Sequence, residues 1–341
     1  MTSATSIITT LTLLMLILSS LSIIGLSPIV AGEDGLIIVV TFASLANDLQ
    51  PLLAPGDKLY SITPPGIDPH EYQLTPNDIE LLRSADIIVS TGHAPFEIEI
   101  RKIVSSGEIK ATLIEIPSIE GIKILNNPVT NTPNYHMIIY DPVNYKIFIE
   151  EIAEAMARKN PSYKDYYEDK ARTIVSEINA LLSYSNCLDV RAVSDTPMTQ
   201  YAVSWLGIKI THLLVKEHGV AATPGDIEEI KKALQNNEVD IVVVTSPESL
   251  SATKHLIELA KEYQKPVLYV PSPLVQKSIL EKLHDIVSQV KNLTIGLSKT
   301  SFTQFEEDNA YSNNIIMIMA STIIASLAII VILYMLRRRG V

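Results

Sequence analysis

Eight short runs rich in β-branched residues recur along this chain, and helical spacing of apolar residues fills most of the intervals between them. Four lie at Leu36–Thr41, Lys58–Ile62, Ile87–Ser90 and Thr112–Ile116; four more lie at Val190–Ser194, Ile208–Leu213, Val239–Thr245 and Val267–Val270. Strands separated by helices pair in parallel, because only a long crossover can bring the next strand back in the same direction. Between the two sets the pattern is helical alone. Phe148, Ile152, Ala155 and Met156 mark one face, and Asn160-Pro161 interrupts it. Tyr167, Ala171, Ile174, Ile178 and Leu181 then recur at spacings of three and four, an amphipathic helix of at least about four turns. The expected fold class is α/β: two parallel-sheet α/β lobes bridged by one long rigid helix, plus a C-terminal transmembrane helix.

The last expectation comes from the ends of the chain. Residues 1–32 carry no Asp, Glu, Lys or Arg, and small residues follow Pro28 before the first charge at Glu33, the pattern of a secretory signal. The run Ile315 to Leu336 is also uncharged and is long enough to cross about 30 Å of hydrocarbon as a helix. Arg337, Arg338 and Arg339 follow it, which places that end in the cytoplasm. The expected organisation is a signal peptide or N-terminal anchor (1–32), an N-terminal α/β lobe (33–160), a bridging helix (161–185), a C-terminal α/β lobe (186–300), a tether (301–314), a transmembrane helix (315–336) and a cytoplasmic tail (337–341). This describes a cell-surface protein with an extracytoplasmic body anchored in the plasma membrane by its C-terminal helix.

Charge and cysteine usage narrow the function. The net charge is −11, so a nucleic-acid partner is not expected, since phosphates would be repelled. Cys187 stands alone, which excludes a disulfide framework, a thiolate zinc cluster and an iron–sulfur site.

Loops that follow strands of a parallel sheet carry its ligand sites. His70 lies in Pro64-Pro65-Gly66-Ile67-Asp68-Pro69-His70-Glu71-Tyr72, a rigid turn after the second run. His136 lies in Asn134-Tyr135-His136-Met137, just before Asp141-Pro142 opens a helix. Two imidazoles on separate pinned loops, with no nucleophile motif beside them, point to metal coordination. His93 leaves the third run in Thr91-Gly92-His93-Ala94-Pro95-Phe96-Glu97 and so reaches the same sheet edge as His70. His212 and His218 are read as loop positions, His255 and His284 as the solvent faces of helices, and Glu248 as an acid of a helix first turn.

The stretch from Pro65 to Gly92, with Pro-Gly-Ile-Asp-Pro-His-Glu-Tyr, Thr-Pro-Asn-Asp-Ile and Ser-Ala-Asp-Ile-Ile-Val-Ser-Thr-Gly, resembles the metal-binding receptors of ABC importers for zinc and manganese, the ZnuA/TroA/PsaA-like family. Asp141-Pro142-Val143-Asn144 and the later Asn160-Pro161-Ser162-Tyr163 are similar to that family's second-ligand loop and backbone helix. The resemblance implies two α/β lobes with the metal in the cleft between them, no catalysis, and an ABC permease as partner. It matches His70 to the first ligand and His136 to the second. It places the third, a His or Glu, at Thr196 beside Asp195, and the fourth, a carboxylate, within Tyr269-Val270-Pro271-Ser272, where no acid stands. His93 is the expected replacement ligand, with Asp195 as a carboxylate. A His-rich, acid-poor set favours Zn²⁺ over Mn²⁺, although Mn²⁺ stays possible as cargo. The vacant positions keep an alternative open: a same-fold receptor, or an adhesin, that has lost metal binding and carries another ligand.

Overall fold

The computed structural model describes residues 35–217, 219–247 and 251–297. In the N-lobe, β1 (Ile37–Val40), β2 (Lys58–Ser61), β3 (Ile87–Ser90) and β4 (Thr112–Glu115) form a parallel sheet in the order β2-β1-β3-β4. In the C-lobe, β5 (Val190–Ser194), β6 (Ile208–Leu213), β7 (Ile241–Ser246) and β8 (Val267–Pro271) repeat that arrangement as β6-β5-β7-β8. Chain order reverses between β1 and β3 and again between β5 and β7. The loops leaving those strands therefore flank a crevice in each lobe, the place where open parallel sheets hold ligands.

Alternation along the strands sorts the core into layers. Ile38 and Val40 of β1, Ile87 and Val89 of β3, and Ile241 and Val243 of β7 enter one central apolar cluster. Their neighbours point the other way: Val39 and Ile88 pack in an outer N-lobe cluster, and Val242 and Val244 in an outer C-lobe cluster. The central cluster runs through both lobes. It is joined by the helices between the sheets, α4 (Pro142–Lys159) and α5 (Lys164–Leu182), which follow α1 (Leu45–Leu49), α2 (Pro76–Ser84) and α3 (Pro95–Ser105) of the N-lobe. All five periodic residues of α5, from Tyr167 to Leu181, are buried there. Tyr167 also donates from its hydroxyl to Asp57 at 2.9 Å, which ties this helix to the N-lobe.

Polar groups stitch the lobes together as well. The C-lobe contributes α6 (Gln200–Ser204), α7 (Pro224–Gln235), α8 (Ser251–Glu262) and α9 (Ile279–Leu297). The first residue of α9 donates its N–H to Asp48 of α1 at 2.6 Å, and Tyr145 of α4 donates to the same carboxylate oxygen at 2.9 Å. Tyr140 donates to the carbonyl of Pro271 at the end of β8, 2.9 Å away. Each of these bonds lies in an apolar setting, where a lost partner leaves a desolvated group.

Two expectations need correction. Among the described residues no helix is long and apolar enough to cross a membrane. The long helices that are described are amphipathic instead; α9, the last, carries Glu281, Lys282, Asp285 and Lys291 along its length. The segment 315–336, on which the C-terminal transmembrane helix rested, lies outside the described residues, as do the signal segment 1–32 and the tether 301–314. The described architecture is therefore two parallel-sheet α/β lobes with no transmembrane helix among the described residues, and the expectation of plasma-membrane anchorage by a C-terminal helix is withdrawn.

Lys282 is fully buried, and its ammonium has no hydrogen-bond partner among the described residues; it sits 5.6 Å from the ring centre of Tyr140. Burial pushes its pKa down to about 8, and burial pushes the Asp48 carboxyl up to about 7. With its proton favoured in the fold, Asp48 costs stability as pH rises from the ordinary carboxylate range towards about 7. Lys282, favoured neutral, costs stability below about 8 and returns it as pH rises further. Lys282→Met is expected to raise unfolding free energy at pH 7 by about 1–3 kcal/mol, because it removes a buried charge with no hydrogen bond. Urea denaturation checks this; a loss of stability would mean that the amine is engaged more tightly than its surroundings indicate.

Candidate metal centre

Three loops at the carboxyl edge of the N-lobe sheet each deliver one imidazole. After β2 the chain enters the proline-rich turn, and Asp68 caps a single 3₁₀ turn, Pro69–Glu71, that holds His70. The Asp68 Oδ1 accepts from the His70 N–H at 2.9 Å and lies 2.9 Å from its Nδ1. Asn134 does the same for His136: its Oδ1 accepts from the His136 N–H at 3.0 Å and lies 3.2 Å from Nδ1. In the third loop the Thr91 carbonyl lies 3.4 Å from Nδ1 of His93. In all three the oxygen comes from the residue two positions earlier. A carboxylate and a carbonyl only accept, and the Asn134 Oδ1 is already fixed as an acceptor by the backbone N–H. In the tautomer with its proton on Nδ1, each ring would present Nε2 as the lone-pair atom that a metal needs.

The His93 loop has a buried hub. Glu97, in the first turn of α3, is 1% exposed and accepts from Thr41 Oγ1, Thr91 N, Thr91 Oγ1, His93 N and Ala94 N at 2.6–3.0 Å. Burial alone would raise its pKa, but the hydrogen bonds from Thr41, Thr91 and Ala94 outweigh this and hold it below the ordinary value. It stays ionised and draws the β3 exit loop around itself. Gly92 completes the bend at φ +79°; a Cβ there would meet Pro117 Cδ at 3.0 Å. Arg101 clamps the Gly92 carbonyl at 2.8 Å while its Nε bonds Glu115.

The His136 loop is held from the other lobe. Asn134 Nδ2 donates to the Pro197 carbonyl at 2.9 Å and to Gln200 Oε1 at 2.8 Å. The Tyr201 hydroxyl donates to the Asn134 carbonyl at 2.7 Å and accepts from Leu125 N at 2.8 Å.

The result is a triangle. Ring centres of His70, His93 and His136 lie 5.1, 5.1 and 5.6 Å apart, and one ligand atom from each falls within 4.8 Å of the others. Tetrahedral zinc with nitrogens at about 2.0–2.1 Å needs nitrogens about 3.3 Å apart, so a small inward movement of the rings suffices. All three side chains are half-buried at one end of a cavity of about 740 Å³ between the lobes.

Asp195 is not brought among them. It is wholly buried at the end of β5 and accepts from Thr245 N at 2.9 Å and Thr253 Oγ1 at 2.8 Å, with Thr245 Oγ1 and Ser194 Oγ at 3.3 Å. Burial pushes its pKa up against those hydrogen bonds. Its place is structural, joining β5, β7 and α8. Among the other histidines, His212 pairs with the Thr211 hydroxyl, His284 is exposed, and His218 and Glu248 lie outside the described residues. His255 keeps an exposed side chain, as expected, and also lines the cavity from the C-lobe side.

Sequence reading passed over Glu97, Asn134 and the orienting role of Asp68. A signal existed for each. Glu97 is the third residue of a Pro-initiated helix, the position that folds back on the preceding loop, and Asp-x-His and Asn-x-His are Asx-type turns.

Comparison with known proteins agrees with this fold. Residues 38–285 match the family described as zinc-uptake complex component A, periplasmic (ZnuA). The chain is 24% identical to the iron-binding protein YfeA of Yersinia pestis over 70% of each protein, and 23% identical to the manganese-binding lipoprotein MntA of Bacillus subtilis over 78% of this chain and 80% of that one. In fold it is similar to FpvC of Pseudomonas aeruginosa solved with Mn²⁺, at 16% identity with a TM-score of 0.61, covering 76% of this chain and 99% of that one. A solved ZnuA structure gives the same TM-score and coverage at 18% identity. Such proteins bind and deliver rather than catalyse, so the chain is not an enzyme. It belongs to the ZnuA family, the metal-binding substrate-binding proteins of ABC importers.

Proposed function

We propose that this protein captures Zn²⁺ in preference to Mn²⁺ through His70, His93 and His136, and delivers it to the permease of an ABC importer. The carrying observation is the triangle of imidazoles, each with its Nδ1 against an oxygen of the residue two positions earlier. Three neutral nitrogens suit zinc, whereas manganese favours a shell richer in oxygen. His93 takes the role of a third ligand from the N-lobe, while Thr196, where the family resemblance places that ligand, lines the opposite wall with a hydroxyl. Asp195 supports the C-lobe crevice from behind and is not assigned to the metal.

His70→Ala, His93→Ala and His136→Ala are each expected to weaken zinc binding by about 100-fold or more, read by titration of metal-stripped protein with a competing chelator. Asp195→Asn should keep one zinc per chain, measured by mass spectrometry, even where thermal stability drops. Manganese bound as tightly as zinc would sink the preference. Zinc held undiminished by His93→Ala would remove that residue from the shell.

Glu97→Gln retains the shape of the hub but loses the charge that gathers donors from five groups. Zinc affinity should fall about ten-fold through displacement of His93, while His70 and His136 still hold metal. An unchanged zinc isotherm in this variant would show that the His93 loop is fixed by other contacts.

A further inference from the structure

The three imidazoles are not held from the same side. His70 and His93 are set by N-lobe groups: Asp68 caps the turn of His70, while Thr41, Glu97 and Arg101 fix the loop of His93. His136 lies on the returning limb of a segment, 124–137, that leaves the N-lobe and comes back to it. Asn144, in the first turn of α4 and 1% exposed, pins both feet of that segment. Its side chain accepts from Lys123 N at 2.9 Å and donates to the carbonyls of Lys123 at 2.9 Å and Ile138 at 3.1 Å.

Between those feet the chain folds on itself. Asn126 and Pro133 form an antiparallel bridge, Asn134 N donates to the Leu125 carbonyl at 2.8 Å, and Asn127 N donates to the Thr132 carbonyl at 2.8 Å. Asn127 Oδ1 closes the tip by accepting from Val129 N at 2.9 Å and Thr130 N at 3.2 Å. A segment bonded internally in this way moves as one piece, and its outward bonds grip the C-lobe. Leu125 N donates to the Tyr201 hydroxyl, which itself donates to the Asn134 carbonyl. Gln200 Nε2 donates to the Asn126 carbonyl at 2.8 Å, and Gln200 Oε1 accepts from Asn134 Nδ2. Asn127 Nδ2 reaches the Lys216 carbonyl at 2.9 Å. Asn127, Asn134, Gln200 and Tyr201 are all buried, so water does not easily replace these bonds. The joint with the N-lobe falls directly after His136, where Met137 takes the left-handed region at φ +59°.

We propose that segment 124–137 is a strap that places His136 under the control of the C-lobe, with Tyr201 and Gln200 as the positioning residues through which lobe displacement sets metal affinity. Packed elements slide by small shifts rather than swing freely. A shift of the C-lobe against the N-lobe sheet draws the strap with it, and His136 withdraws from His70 and His93, which stay with their own loops. Release of the ion then needs the loss of one donor and no unfolding of the other two loops. Linkage makes the effect reciprocal: a metal that joins His136 to His70 and His93 clamps the strap in place. This rests on the three-histidine reading above, so the test separates the two.

The experiment uses the full chain, stripped of metal and titrated with Zn²⁺ against a competing chelator, together with hydrogen exchange of the strap amides. Tyr201→Phe and Gln200→Ala, which remove no imidazole, are each expected to weaken zinc binding about ten-fold. Placed in the His136→Ala background, the same changes should weaken it by less than about two-fold more, since they act through that ligand. In the unaltered protein zinc should slow exchange at the amides of Leu125 and Asn134 about ten-fold, and His136→Ala should abolish that slowing. Undiminished zinc affinity in both C-lobe variants overturns the inference and leaves the metal reading standing. A loss that persists at full size in the His136→Ala background also overturns it, because the variants would then act through the fold at large. Slowing by zinc that survives His136→Ala, or that is absent from the unaltered protein, does the same without relying on any C-lobe variant. No zinc bound by the unaltered protein overturns both readings.

Discussion

Asn134 ties the three-histidine cluster to the C-lobe. Its oxygen orients His136, its nitrogen bonds the Pro197 carbonyl and the Gln200 amide of the C-lobe, and its backbone carbonyl receives the Tyr201 hydroxyl. One buried residue therefore sets an imidazole and fixes the distance between lobes. Both effects depend on burial, since in water each bond would be exchanged for a solvent contact at little net cost. The central apolar cluster supplies that burial, running from β1 and β3 through α4 and α5 into β5 and β7.

Such a frame limits how capture can work. Lobes that share a core and several buried hydrogen bonds do not hinge freely, so the adjustment on binding falls to the three loops. These loops are already restrained. Glu97 gathers the β3 exit, Asp68 caps the turn after β2, and the far lobe holds the loop before α4. In the proposed role the imidazoles would need to move only a little to meet one ion, and little ordering entropy would remain to be lost.

Much of the fold was legible in the sequence because it rests on local periodicity. β-branched runs became strands within about two residues of their expected ends, an error usual for boundaries. The heptad-like spacing from Tyr167 to Leu181 became a buried helix face. His70, His93 and His136 could be gathered on paper because parallel strands bring their exit loops to one edge. What sequence could not give was long-range. Nothing near Asp195 announces that Thr245 and Thr253 claim its carboxylate, more than forty residues away, and nothing near His255 shows which side of its helix meets the cavity. The transmembrane expectation failed for another reason: it drew on a segment outside the described residues, while the helices that are described carry charged faces.

Each imidazole carries its own orienting oxygen two residues upstream, and that arrangement bears on how the centre tolerates change. Ligand and orienting group move as one short unit whenever a strand shifts or a loop gains length. A drift in the scaffold would displace an imidazole bodily, yet would leave its Nδ1 against the same orienting oxygen. Errors of position are recoverable by small loop movements, whereas an error of tautomer would silence a ligand outright. A centre assembled from three self-orienting tripeptides can thus be carried through extensive divergence of the surrounding sheet without losing the chemical identity of its donors.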